Sequence, residues 1–442
     1  MTTRSYFEFD SLATNARTEI IAGITTFLAT MYIIAVNPAI LSETGMSFAS
    51  VLTATVLVGA FSSIMMGLYA RNPIVIAPGM GLNAFFAYSV VITRGIPWER
   101  ALGAVFWSGV IFLLLSIFNI RTHIVRAIPR QIRFAVAGGI GLFITLIGLT
   151  NAGLVVSNEA TVIGAGALDP VTITFLIGLA FTSILVVRKV KGALIMGIAF
   201  TTLAMIPIGR WWGDASAINR GTATLVTWQG LVAPPDFSVF FKLDLFGSLH
   251  LACLPVIFAF LFTDLFDSLS TFVGVSEASG LVDSDGEPRN IQKSLIVDAL
   301  STTLSGLFGT SAGTSYIESA AGIEEGGRSG LTAVVAGVLF LPFMFLSPLV
   351  SVVPLQATAP ALVLVGAFMM RPVLKINWEG LDDAIPAFLA MILIPLTYSI
   401  TQGIVWGFLS WTVIKLAAGK RHEVTPALLA IDVLAVASFV VN

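Results

Sequence analysis

Three stretches of this sequence carry side chains able to do chemistry inside a very apolar chain. "GTSAGTSYIESAAG", residues 309–322, crowds small residues and hydroxyls around one carboxylate, Glu318. "FAFLFTDLFDSLSTF", residues 258–272, sets Asp264 and Asp267 three apart, hence on one helical face, among Thr263, Ser268, Ser270 and Thr271. "IVIAPGMGLNAFFAY", residues 74–88, carries Asn83 with Phe85 and Phe86 just after it. A carboxylate accepts N–H bonds or holds a proton, an Asn amide both donates and accepts, and a ring stacks on a flat ligand. Each has an ordinary alternative. Glu318 could cap its own helix, Asn83 could bond free backbone, and one aspartate could hold a helix or neutralise a cationic side chain such as Arg328. Ionisable groups within an apolar span are rare and as a rule functional, so a substrate or proton site is the expectation. Asp264, the deeper of the two aspartates in its run, is expected to matter more than Asp267.

The composition says what must position these residues. The chain has 442 residues, 56% hydrophobic and 11% charged, where soluble domains carry about a quarter charged. Mean hydropathy is +0.94. Long apolar runs between short polar breaks predict a polytopic membrane protein. The first eighteen residues are polar and predict no cleaved leader. One cysteine, Cys253, and three histidines far apart in sequence provide no metal cluster. The net charge of −2 says little about partners; there is no basic tail and no acidic tail, and no nucleic-acid partner is expected. No cofactor is expected.

Apolar runs fall at 19–41, 50–70, 74–92, 99–119, 131–149, 169–187 and 190–208, then after a polar break at 249–273, 291–308, 314–325, 329–351, 357–371, 383–400 and 402–418, with a further run at 424–441. With the N-terminus cytoplasmic, all of the 23 lysines and arginines lie inside except Arg94, Arg100, Arg210, Arg220 and Lys242, the asymmetry that sets orientation. Seven segments per half is odd, so the second half enters from the opposite side. The expected fold is therefore all-α: two inverted seven-segment repeats, 1–208 and 249–442, joined by an extracellular or periplasmic linker at 209–248. Transporters with inverted repeats place the substrate near the midplane, where corresponding segments are broken. Segments 3 and 10 fit, because Pro78, Gly79, Gly81, Gly309 and Gly313 sit where a spanning helix should run. Each reads as an extended stretch leading into a half-helix, Asn83–Val91 and Tyr316–Ile323, whose N-termini converge. Glu318 and its neighbours Ser315 and Ile317 fall at that point. "AGGIGLF", 137–143, reads as a helix-packing face of small residues.

"APGMGLNAFFAY", "DLFDSLSTFVGV" and "YIESAAGIEEGGRSGLTAV" resemble the signature segments of AzgA-like purine permeases, the adenine/guanine/hypoxanthine branch of the nucleobase–cation symporters. The resemblance runs from about Arg17 to Lys420. It implies a core domain from segments 1–4 and 8–11 and a gate domain from segments 5–7 and 12–14 that carries a homodimer contact. It implies proton symport of a purine base across the cell inner membrane. By motif, Glu318, Asp264 and Asn83 match the functional positions, with Asp264, Glu318 and Asp267 as proton-coupling candidates. "GLNAFF" looks closer to adenine-type members, while "DLFD" with "SYIESAAG" also occurs in relatives of broader specificity, so the purine stays open. A neutral purine offers N–H donors, ring-nitrogen acceptors and a flat face, which suit carboxylate, amide and ring.

Two other functions compete. A transporter of another nucleobase or of a small anion could use the same fold, since facing helix N-termini suit anions; several carboxylates at one spot oppose the anion. An intramembrane aspartyl enzyme would want its aspartates facing each other, and Asp264 and Asp267 share one helix.

Overall fold

The computed structural model describes residues 3–118, 129–216, 219, 221–279, 281, 288–426, 428, 429 and 432. In lipid each backbone N–H and C=O needs an internal partner, which a helix supplies within its own segment. The first half forms α1 (Ala16–Thr30), α2 (Ile33–Ser42), α3 (Phe48–Met65), β1 (Ile76–Pro78), α4 (Met80–Ala84), α5 (Trp98–Ile117), α6 (Arg130–Asn151), the hairpin β2 (Val155–Asn158) and β3 (Val162–Ala165), α7 (Pro170–Val187) and α8 (Ala193–Met205). The second half forms α9 (Leu254–Ser279), α10 (Ile291–Phe308), β4 (Gly313–Ser315), α11 (Ala320–Glu324), α12 (Gly330–Phe340), α13 (Leu355–Phe368), α14 (Leu381–Thr397) and α15 (Ile400–Ala417). Eight helices among the described residues are long and apolar enough to cross a membrane, and Met80–Thr93, Ala193–Met205 and Gly330–Phe345 are apolar but shorter. Leu203, Phe388 and Val413 point outward, as side chains facing lipid do.

Local chemistry starts and stops the helices. Asn15 caps α1 by accepting from the Thr18 N–H at 3.0 Å. Asp169 caps α7 from the Thr172 N–H at 2.8 Å, with Pro170 at the first helical position. The run 329–351, expected as one span, tightens after Phe340 into a 3-10 turn, Leu341–Phe345, that contains Pro342. The β2–β3 hairpin was not expected; its strands are exposed and sit in a polar stretch between spans. The last apolar run, 424–441, lies largely outside the described residues, as do Arg121 and Arg126.

The helices pack in two groups. In one, α12 packs on α1 and α3, α10 on α3 and α5, and α9 on α5. In the other, α6 packs on α13 and α14, α14 on α15, α7 on α8, and α8 on α13. The small-residue run 137–143 is where α6 meets the other two: Gly139 lies against Met391 and Ile394, and Gly141 against Gly366. In the first group Gly67 and Gly330 are in backbone contact. A Cβ on Gly67 would stand 2.2 Å from the Gly330 oxygen. The segment 209–248 ties distant helices together: Asp236 accepts from the Ser47 hydroxyl at 2.8 Å, the Phe241 N–H reaches Leu307 O at 2.8 Å, and the Asp244 N–H reaches Glu99 O at 2.9 Å.

Candidate functional site

The two Gly/Pro-interrupted segments meet. β1 and β4 pair antiparallel, with Ile76 opposite Ser315, Ala77 opposite Thr314 and Pro78 opposite Gly313. The pairing extends through Gly79 N–H to Ala312 O and Tyr316 N–H to Val75 O, both 2.9 Å. A two-stranded sheet buried in protein still has outer edges, and each exposed group there would be costly. Hydroxyls meet that need. Ser63 donates to Ile76 O at 3.0 Å and accepts its N–H at 3.1 Å, and Ser319 accepts the Val75 N–H at 3.0 Å. Thr302 donates to Gly313 O at 2.9 Å, and Ser268 accepts the Ser315 N–H at 3.3 Å. Many of the Ser and Thr residues of these spans therefore serve backbone that is neither helix nor full sheet.

The half-helices differ from expectation. The first begins at Met80 rather than Asn83 and continues from Phe85 to Thr93 as a wider π-helical turn. The second is a 3-10 turn, Ile317–Ser319, leading into α11.

A cleft opens beside the strand pair. Its wall includes Tyr32, Gly79–Gly81, Asp267, Thr271, Thr314–Glu318, Val365 and Met369. The last two come from α13 and the residue after it, so the cleft lies between the two packing groups. Glu318 faces it, and its Oε1 accepts the Tyr32 hydroxyl at 2.9 Å. Ile317 is half exposed into the cleft. Ser315 lines it and donates to Asp298 Oδ1 at 3.2 Å. Thr314 donates to Asp267 Oδ2 at 3.4 Å and shares a 2.8 Å bond with Ser268.

Asp264 is placed elsewhere. It is fully buried behind β4, where Oδ2 lies 2.5 Å from the Thr302 hydroxyl, the same hydroxyl that reaches Gly313 O, and Oδ1 has no partner among the described residues. Asn83 is likewise fully buried; its amide nitrogen has only the Met80 sulfur at 3.8 Å, and its oxygen has no partner. Phe85 and Phe86, expected as stacking rings, turn away from the cleft. Both are fully buried against Phe260, with centroids 4.9 and 6.5 Å away. The packing of the π-helical turn against Phe260 of α9 takes up these rings, so neither turns a face to the cleft.

Two residues at this site escaped the reading of the sequence. Asp298, on α10, is fully buried with one bonded oxygen and one unpartnered. It carried the same signal as Asp264, a carboxylate inside an apolar run. Tyr32 gave no sequence signal, because its role comes from the break between α1 and α2. Among the described residues no Lys, Arg or His forms an ion pair with Asp264, Asp267, Asp298 or Glu318. Four uncompensated carboxylates at one place are costly unless protons or a ligand neutralise them.

A model of the xanthine/uracil permease family, described as "Permease family", matches residues 17–406. The adenine permease AdeP of Escherichia coli (strain K12) is 41% identical over 431 residues, covering 97% of this chain and 94% of that protein. The guanine/hypoxanthine permease PbuO of Bacillus subtilis (strain 168) is 40% identical over 434 residues, covering 97% and 98%. Among solved structures, the transmembrane domain of the cyanobacterial bicarbonate transporter BicA superposes with a TM-score of 0.62 over 89% of this chain and 97% of that one, at 16% identity. That likeness concerns the fold alone.

Proposed function

Since the chain belongs to the xanthine/uracil permease family, we propose that it is a permease for purine nucleobases, adenine, hypoxanthine and guanine, and not an enzyme. The observation that carries this is the cleft against the β1–β4 pair, where Glu318, Asp267 and Ser315 stand together and, among the described residues, no Lys, Arg or His forms an ion pair with the carboxylates. A neutral base with N–H donors suits such a wall; an anion does not.

Finer points belong to the same reading. The groups around α1, α3, α5, α9, α10 and α12 and around α6–α8 and α13–α15 act as core and gate domains of two inverted seven-segment repeats, 1–208 and 249–442. The substrate sits between them, and the gate group carries a homodimer contact. The protein spans the cell inner membrane with its N-terminus in the cytoplasm. Transport is coupled to protons, carried by Asp264, Glu318 and Asp267, with Asp298 added. What supports coupling is the set of carboxylates, Asp264 and Asp298 fully buried and Asp267 and Glu318 partly so, with no ion-pairing cation among the described residues, whose occupation by protons and by substrate is then linked. Ser315 and Ile317 shape the substrate wall, and Asn83 tunes it from behind Met80.

The test is uptake of radiolabelled adenine, hypoxanthine and guanine by cells deleted for their own purine transporters. Saturable, accumulative uptake on expression of this chain is expected. Uptake no greater than in cells lacking it overturns the proposal.

A further inference from the structure

Away from the cleft, three contacts in a row along segment 3 close the seam between the two helix groups. Gly81, in the cleft wall, packs on Ile140 of α6, where a Cβ would stand 2.5 Å from the isoleucine. Tyr88 accepts from the amide of Asn151, the last residue of α6, at 3.4 Å. Arg94 then reaches the start of α15, donating from Nη2 to the Ser399 hydroxyl at 3.1 Å. Gly141 of α6 lies against Gly366 of α13, next to the cleft residue Val365. Asn151 stands ten residues further along α6, about 15 Å at 1.5 Å per residue. The outer two contacts therefore shut one end of the seam and stand clear of the cleft.

Arg94 is poorly served in this closed arrangement. It is half-buried, its Nη1 is enclosed with no hydrogen-bond partner among the described residues, and no carboxylate among them forms an ion pair with it. The one group it bonds is a neutral hydroxyl that also caps α15, accepting the Gln402 N–H at 3.4 Å. The guanidinium thus sits at a helix N-terminus, where the dipole opposes a cation. An unpaired N–H on an enclosed charged group and the opposing dipole together outweigh one bond to a neutral hydroxyl. Water satisfies those N–H groups once the seam parts.

Resting on the transport reading above, in which this end of the seam faces the outside, we propose that Arg94 is a release device: its charge keeps the closed seam from locking, so that the cleft can reopen to substrate outside. A neutral side chain at this place leaves the seam more firmly closed, because nothing charged is then enclosed against α15. The shift in population follows the free energy that Arg94 withholds from the closed state.

The experiment uses Ile317→Cys, at a position half exposed into the cleft, in the full chain carrying Cys253→Ser. A membrane-impermeant thiol reagent is applied to whole cells, and the rate of labelling reads how often the seam opens to the outside. Arg94→Gln keeps a donor and loses the charge; it should slow labelling by about tenfold, whereas Arg94→Lys should stay within about twofold of the parent. Without the reporter, Arg94→Gln should slow purine uptake and leave equilibrium purine binding within about threefold. Were Arg94 a clasp that holds the seam shut, Arg94→Gln would label faster; labelling at or above the parent's rate overturns the proposal. If Arg94→Gln does not reach the membrane, Arg94→Met takes its place with the same expected and overturning results. A parent whose Ile317→Cys is never labelled from outside also overturns it, since the seam then does not open there. A parent that is labelled but takes up none of the bases overturns the transport reading instead, and the labelling rates still decide the role of Arg94.

Discussion

The Tyr316 hydroxyl donates to the Pro78 carbonyl at 2.5 Å, so the two broken segments, 238 residues apart in sequence, are joined by a side chain as well as by a sheet. Tyr316 follows β4 directly, and Pro78 is the last residue of β1. The carbonyl has no helical partner at this depth. Tyr316→Phe should leave it unsatisfied and destabilise the protein by about 1–3 kcal/mol. The measurement is the thermal midpoint of the purified protein in detergent. An unchanged midpoint would mean that Pro78 finds another donor.

Gly79 shows how tightly the segments approach. A Cβ there would stand 2.4 Å from the Thr314 methyl group, and Thr314 in turn holds Ser268 and Asp267. Gly79→Ala should therefore push β4 outward and weaken purine binding by about tenfold or more, as one overpacked contact costs about 1–3 kcal/mol. Adding Thr314→Ser removes the methyl and keeps the hydroxyl. Binding by the double variant should recover much of the loss; no recovery would place the effect of Gly79→Ala elsewhere.

Legibility in the sequence followed the range of the interaction. The broken segments were readable because their signals are local: Gly and Pro where a helix should continue, and a carboxylate within an apolar run. The pairing of residues 76–78 with 313–315 was not, since a three-residue strand leaves no periodic pattern. The orientation of Phe85 and Phe86 was not either. They directly follow Met80–Ala84, but which way a side chain faces depends on where the half-helix starts, and it starts at Met80. Asp264 and Asp267 share a helical face as their spacing requires. About one turn along the axis puts Asp267 on the cleft and Asp264 behind β4, a distinction set by where β4 crosses α9. Asp298 lies in the apolar run 291–308 with the same local signal as Asp264, and what distinguishes it, the bond from Ser315 of β4, comes from the chain crossing that no local pattern shows.

Glu19 is a fully buried carboxylate that holds the chain just beyond the second broken segment. It accepts from the Arg328 N–H at 2.9 Å, the Ser329 N–H at 3.2 Å, and the hydroxyls of Thr14 at 2.8 Å and Thr332 at 2.6 Å. These include donors at the N-terminus of α12, where a negative charge is favoured. Glu19→Ala orphans two backbone N–H groups at about 1–3 kcal/mol each. The expected result is a large fall in membrane abundance and thermal midpoint, with Glu19→Gln intermediate because it keeps one acceptor. Equal stability of parent and Glu19→Ala would show that these donors reach water.

Uptake should collapse when a protonophore dissipates the proton gradient and should persist when sodium is replaced by choline. The grounds are the buried and half-buried carboxylates that have no ion-pairing cation among the described residues, together with membership of the family. Carboxylates also bind sodium, so the ion substitution is the decisive arm. A strict sodium requirement at constant proton gradient would reassign the coupling ion.

The two aspartates of α9 should separate binding from coupling. Asp267 is part of the cleft wall and has only a long bond from Thr314, so its carboxylate can reach a substrate N–H. Asp264 is shut behind β4, with Oδ2 2.5 Å from the Thr302 hydroxyl and a second oxygen that has no partner among the described residues. It has no route to the base, yet it shares Thr302 with the Gly313 carbonyl, so its charge bears on the strand that carries Ser315 and leads to Glu318. Asp267→Asn should therefore weaken purine binding by about tenfold, the effect of losing one hydrogen bond to a charged group, while exchange of labelled for unlabelled base persists. Asp264→Asn should leave binding within about threefold and abolish accumulation against a gradient. Glu318→Gln, which alters the same wall as Asp267, should lose both. If Asp264→Asn lost binding and Asp267→Asn kept it, the substrate would have to enter behind β4, and the cleft between the two helix groups would not be the site.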